Sequence, residues 1–343
     1  MQIREYMMTS GQLKEMGGYL SLEGDRNKDY FSNLGADATV LRTNSGKAAI
    51  YHALKNISAG TIHMPYYCCN SVFLAASDAG KQICHYHLTE QLLPDLENRS
   101  VNAQDDILFI VNFFGSIGDE VIHYVTQKES QYAAVIVDQS HCFFAPPLIL
   151  PNTYNIYSCR KFFGVPDGGY LISGSLPEIN LSNYKASSHF RFLLTSLEEG
   201  QNAAYQASKE ANDAVQSEYI GMSEATRRIL GMVDYQKVAE RRRRNFTMLY
   251  EAFSMVNRFN LSGVTDPLYI FPLWLEDNIK SLLVEQRIYV PTLWREALIP
   301  DCQGRIEYDL SENTAFLPLD QRYSDADMEY LIGVVTKVLN KVR

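Results

Sequence analysis

The sequence predicts a large α/β domain, with a mostly parallel sheet flanked by helices, followed by a smaller C-terminal α+β domain. Three observations carry this. Strand-like and helix-like stretches alternate between residues 40 and 175. Those strands are apolar along their whole length, the mark of a sheet covered on both faces rather than one. After residue 230 the pattern changes to a long helical stretch, short separate strand signals and a closing amphipathic helix. We therefore divide the chain at residues 1–230 and 231–343.

In order, strands are expected at 61–64, 83–88, 107–113, 135–138, 155–158 and 169–172, with helices at 47–56, 71–79 and 119–130. On such a sheet, ligands bind beyond the carboxyl ends of the strands. Residues 176–230 are polar and helix-prone and read as helices linking the two domains. A long helix is expected at 233–257. Beyond it, strands at 268–275, 288–290 and 315–317 alternate with a helix at 277–286. A final helix at 325–342 is opened by Ser324 as a cap, with Asp325 and Asp327 in its first turn.

Composition removes several classes of function. With 343 residues, 46% hydrophobic, 21% charged and a net charge of −9, nothing points to nucleic acid as partner. The run Arg241-Arg-Arg-Arg244 lies inside a helical stretch and reads as a solvated or interface face. No apolar stretch reaches the roughly 18–20 residues of a membrane span, and the N-terminus lacks the pattern of a signal peptide, so a cytoplasmic location is expected. The six cysteines form no Cys-x-x-Cys pair. They read as reduced thiols, with neither a disulfide framework nor a metal site expected.

Two residues carry the chemistry. Asp138 closes the apolar run Ala133-Ala-Val-Ile-Val, and Lys161 sits on a short turn before the Gly168-Gly169 strand. A carboxylate at the end of a buried strand is costly unless it meets a cation. A pyridoxal 5'-phosphate (PLP) site needs such a pair: the lysine forms the Schiff base, and the acid keeps the pyridine nitrogen protonated. Ser45, Gly46 and Lys47 precede a helix whose free N–H groups and dipole suit the cofactor phosphate. Ser158 is a further candidate phosphate donor. His141, three residues past Asp138, is a candidate partner of the phenolic oxygen. Tyr67, in Met64-Pro-Tyr-Tyr-Cys-Cys, is a candidate to stack on the pyridine ring. Taken singly, Ser-Gly before a helix is an ordinary cap, and Tyr66 and Tyr67 are ordinary core or interface tyrosines. Ser158-x-x-Lys161 also occurs in penicillin-binding enzymes, but their Ser-Asp-Asn and Lys-Thr-Gly triplets are absent.

The order of these pieces resembles PLP enzymes of fold type I. Over about residues 40–340 the chain is similar to the DegT/DnrJ-type sugar-nucleotide aminotransferases. The matching segments are Asn44-Ser-Gly-Lys-Ala-Ala, Pro65-Tyr-Tyr-Cys-Cys, Asn112-Phe-Phe-Gly, Val137-Asp-Gln-Ser-His, Ser158-Cys-Arg-Lys through Gly169, Met222-Ser-Glu-Ala, and Phe316-Leu-Pro-Leu-Asp-Gln-Arg-Tyr. The resemblance implies Lys161 as Schiff-base lysine and acid/base, Asp138 on the pyridine nitrogen and His141 near the phenolate. It implies the Ser45–Lys47 turn and Ser158 on the phosphate. It also implies an amino acid donor (glutamate or glutamine), a nucleotide-linked keto sugar acceptor, a place in polysaccharide biosynthesis, and a homodimer.

The chain departs from the family at Val137, at the short Ser158–Lys161 spacing, and at Tyr219, where relatives place a phosphate-binding Asn from the partner subunit. At the stacking position, Tyr67 and Cys69 both remain open. Trp294, Arg295 and Arg322 are candidates for a substrate pocket, with Trp294 equally a domain-interface residue. Elimination, dehydration or lyase chemistry on the same cofactor is the alternative reaction, and a non-catalytic binding protein of this fold a third reading.

Overall fold

The computed structural model describes residues 16–96, 102 and 105–342. The first part of the chain runs β1 (Thr39–Thr43), α1 (Gly46–Asn56), β2 (Thr61–Pro65), α2 (Asn70–Asp78), β3 (Gln82–Leu88), β4 (Pro94–Asp95), β5 (Asp106–Val111), α3 (Gly118–Lys128), β6 (Ala134–Asp138), β7 (Thr153–Ser158) and β8 (Gly169–Ser173). The eight strands form one sheet in the order β1-β8-β7-β6-β5-β2-β3-β4. Strands β7, β6, β5, β2 and β3 are mutually parallel. Strand β8 lies antiparallel between β7 and β1, and β4 pairs antiparallel with β3. The expected mostly parallel sheet is present, with β1 and β4 added at its edges.

Every residue of β5 and β6 is buried. This is why both read as unbroken apolar runs, and it sets Asp138 at the end of a wholly covered strand. The β1 sequence Thr-Val-Leu-Arg-Thr mixes polar and apolar side chains and gives no such signal; its Arg42 pairs with the buried Asp29. Helix α1 is capped by Ser45, whose Oγ accepts from the Ala48 N–H at 3.1 Å. Strand β8 passes close to this cap. A Cβ at Gly169 would lie 2.4 Å from the Ser45 carbonyl carbon, so only glycine fits there.

The linking region holds α4 (Arg191–Glu198), α5 (Gln201–Gln216) and α6 (Glu224–Gly231). It is tied to the sheet through buried polar groups. The Asp167 carboxylate accepts from the Ser223 N–H (2.7 Å), the Ser223 hydroxyl (2.6 Å) and Thr226. Asn44 donates to the carbonyls of Val215 and Glu218.

The C-terminal part comprises α7 (Tyr235–Phe253), β9 (Phe271–Trp274), α8 (Lys280–Glu285), α9 (Ile306–Asn313), β10 (Thr314–Leu317) and α10 (Asp325–Val342). It has its own core, including Leu249, Phe271, Leu273, Leu283, Leu317 and Val335. Strands β9 and β10 pair antiparallel. The third strand expected at 288–290 does not form. Instead the Ile288 N–H folds back to the Leu283 carbonyl and ends α8 in a turn, with Arg287 at φ 61°. Helix α9, unforeseen in the sequence, is held at the sheet edge by a hydrogen bond between His87 of β3 and the fully buried Glu307.

The arginine run is not one solvated face. Arg241 and Arg244 pair with Asp325, and Arg243 donates to the Thr265 carbonyl. Arg242, by contrast, is 1% exposed and donates to the carbonyls of Leu268 (2.9 Å) and Tyr269 (3.1 Å) and to Gln321 (2.9 Å). Its burial lowers the guanidinium pKa to about 10. We predict that Arg242→Met, which keeps most of the apolar stem, destabilises the fold by about 2–4 kcal/mol because buried carbonyls lose their donor. Urea unfolding measures this, and a loss below about 1 kcal/mol would show that those carbonyls find other partners.

Candidate active site

A cavity of about 360 Å³ opens beyond the carboxyl ends of β6 and β7, against the start of α1. Asp138, 7% exposed, lines one wall and accepts from the Ser140 N–H at 2.8 Å. Burial raises its pKa, opposed by the Ser140 hydrogen bonds and the charge of Lys161. Lys161 is the last residue of a single 3-10 turn that follows β7. Its Nζ lies 3.1 Å from His141 Nε2 and 5.0 Å from the centre of the Tyr269 ring.

His141 is buried, and burial first, with the charge of Lys161 second, holds its pKa well below the usual value. The imidazole is therefore neutral at pH 7. With Nε2 accepting from the Lys161 amine, Nδ1 carries the proton, and that buried atom has no partner among the described residues. Trp294 stacks on the imidazole at 5.2 Å and 16°. Its backbone is left-handed (φ 52°).

The other end of the cavity is polar. Gly46 opens α1 there, and first-turn N–H groups have no intrahelical acceptor. A Cβ at Gly46 would lie 3.5 Å from Ser140 Oγ and 3.7 Å from Ser158 Cβ, so the helix start and both serines converge. Arg160 lines the same cavity and donates to Asn212 Oδ1 of α5 at 3.0 Å.

Of the residues singled out in the sequence, Gly46, Lys47, Asp138, His141, Ser158 and Lys161 line this one cavity. Ser45 does not; it is 2% exposed, and its hydroxyl is used as the α1 cap. Tyr67 does not either. It is fully buried, with its ring against Phe113 (5.5 Å) and Trp294 (4.5 Å). Of this loop, Cys68 and Cys69 line the cavity, and Tyr67 does not. The aromatic surfaces facing the cavity come from Trp294 and Tyr269.

Tyr219 is engaged elsewhere: it stacks on Tyr51 (4.0 Å, 10°) and donates to Asp78. Sequence reasoning missed Ser140, Arg160, Asn212, Gln216 and Tyr269. The one signal available was the i, i+4 spacing of Asn212 and Gln216, which sets both on one face of α5.

A second cavity, of about 940 Å³, shares Arg160, Lys161 and Tyr269 with the first. Its walls carry Arg242, Arg287 and Arg322 with Tyr205, Tyr289 and Tyr330. Arg322 forms a two-pronged pair with Asp320 (2.7 and 2.8 Å).

The architecture is that of fold-type I PLP enzymes. Spr1654 of Streptococcus pneumoniae, solved in PMP and PLP forms, superposes at TM-scores of 0.64 and 0.63 with 14% identity, covering 89% of this chain and 88% of that one. The aminotransferase TlmJ of Streptoalloteichus hindustanus gives 0.63 at 15% identity, with coverages of 90% and 88%. DesV of S. venezuelae, solved with a ketimine intermediate, gives 0.60 at 16%, with coverages of 87% and 84%. No protein-family model and no curated protein matches the sequence.

Proposed function

We propose that this protein is a PLP-dependent aminotransferase that moves an amino group from an amino acid to a keto sugar carried on a nucleotide. One observation carries the reading: Asp138 and Lys161 face a single cavity that a helix N-terminus, two serines and Arg160 also line. The residues fit the cofactor. A carboxylate whose pKa is raised by burial suits a protonated ring nitrogen, and the orphaned His141 Nδ1–H suits an acceptor oxygen. The α1 start suits a phosphate.

When bound, PLP supplies an electron sink for the charge left as a proton leaves the amine-bearing carbon. Lys161 would hold the cofactor through its amine and, once displaced, carry that proton. Asp138 would hold the proton on the ring nitrogen, and His141 would donate to the ring oxygen. Trp294 and Tyr269 would restrict water at the reacting face. The adjoining 940 Å³ cavity, lined in part by Arg160 and Arg287, supports a large anionic acceptor such as a sugar nucleotide.

The reading includes a homodimer, supported by the exposed apolar side chains Leu194 (54%), Leu197 (82%) and Tyr205 (71%) on α4 and α5. It also includes a domain division near residue 230, supported by the separate C-terminal core, and a cytoplasmic location, supported by six unpaired cysteines. Titration of the purified protein with PLP is expected to give a visible absorbance band, and glutamate to convert it to the PMP form. A keto sugar nucleotide is then expected to restore the band. No band at saturating PLP would remove the reading, and keto-acid release without the PMP form would favour elimination instead.

A further inference from the structure

Of the three basic side chains lining the cavity, only Lys47 has a carboxylate within ion-pair distance among the described residues. Lys47 is committed to Asp78 at 3.7 Å and to the Gln216 carbonyl at 3.1 Å, and Lys161 is directed at His141. Arg160 has no carboxylate within ion-pair distance among the described residues; its one hydrogen bond goes to the Asn212 amide oxygen. The acid that acts on it most, Asp167, has both oxygens occupied by Ser223 and Thr226. Burial pushes the guanidinium pKa down, as it does for a charge left uncompensated. Such a charge, lining a cavity, is stabilised by an anion that enters from outside.

Building on the cofactor reading, we propose that Arg160 is the residue that neutralises the PLP phosphate, held in its working orientation by Asn212 of α5. Arg160 lines the same cavity as Gly46, Ser140 and Ser158, where a helix N-terminus already favours a dianion. Its planar fork of donors matches phosphate oxygens, which an ammonium point charge does not. Asn212 offers the guanidinium a neutral acceptor, so it orients the fork while leaving the charge free for the ligand.

The test compares PLP with pyridoxal, which lacks the phosphate. Wild-type protein is expected to bind PLP far more tightly than pyridoxal. In Arg160→Met the PLP affinity is expected to fall about 10- to 100-fold while pyridoxal binding is unchanged, the range expected for a lost charge-assisted pair. Arg160→Lys should recover part of the loss, and inorganic phosphate should compete with PLP more weakly in Arg160→Met than in wild type. Asn212→Ala, a milder change, is expected to show a smaller loss of the same kind, which keeps the test open if Arg160→Met folds poorly. An unchanged PLP-to-pyridoxal ratio in both variants overturns the assignment. A raised KM for the amino donor alone also overturns it, since Arg160 would then serve the donor carboxylate. A wild-type protein that takes up neither compound overturns the cofactor reading itself, a result distinct from the other two.

Discussion

Replacement of Lys161 by alanine is expected to lower the rate of the first half-reaction by roughly 10⁴-fold or more, because it removes both the covalent attachment and the proton carrier. The other lysine lining the cavity, Lys47, is tied to Asp78 and Gln216 and lies over the Tyr219 ring, 4.9 Å from its centre. Binding of PLP should persist, since the phosphate end of the cavity does not involve Lys161. Two measurements separate the effects. Borohydride is expected to fix PLP onto wild type and not onto the variant. Single-turnover kinetics with glutamate should show loss of conversion at saturating cofactor. A variant that keeps more than about a hundredth of the rate would assign the proton transfer to another group.

Asp138→Asn is expected to separate catalysis from stability. The side chain keeps its shape, and Oδ1 can still accept from the Ser140 N–H. What disappears is the negative charge that would hold a proton on the ring nitrogen, so the half-reaction rate should fall about 10²- to 10⁴-fold.

Stability should move the other way. Burial raises the Asp138 pKa in the folded state, so the folded protein binds its proton more tightly than the unfolded chain does. The carboxylate then costs stability as pH rises from its unfolded value through its raised folded one. Removing the charge removes the cost. The cofactor-free variant should therefore melt at or above the wild-type temperature at pH 7, with the difference shrinking as pH falls toward 4. A clear loss of stability at pH 7 would mean that the charged form is held by a partner other than the cofactor.

The sheet was legible because β5 and β6 are covered on both faces and read as unbroken apolar runs. Edge strands carry no such pattern: β1 mixes Thr and Arg with apolar residues, and β4 has two residues. Asp138, His141 and Lys161 were legible because each stands at a fixed offset from a buried strand. Where Tyr67 packs was not legible, because a side chain's direction within a loop depends on its packing, here against Phe113 and Trp294, and not on its spacing. Arg160, Asn212 and Tyr269 were invisible for a different reason. Each reaches the cavity only through tertiary packing of elements far apart in the chain. The Arg241–Arg244 run shows the same limit, since four identical residues divide into three surface contacts and one buried donor.

The small cavity takes wall residues from Gly46 through to Trp294. During synthesis, then, the central sheet strands can pair long before the binding site exists, since Tyr269 and Trp294 emerge 108 and 133 residues after Lys161. A nascent or C-terminally shortened chain would carry the lysine and the acid on an unroofed sheet, exposed to water. On the proposed reading, capture of the cofactor would fall at the end of folding, and the holo form would mark a finished molecule.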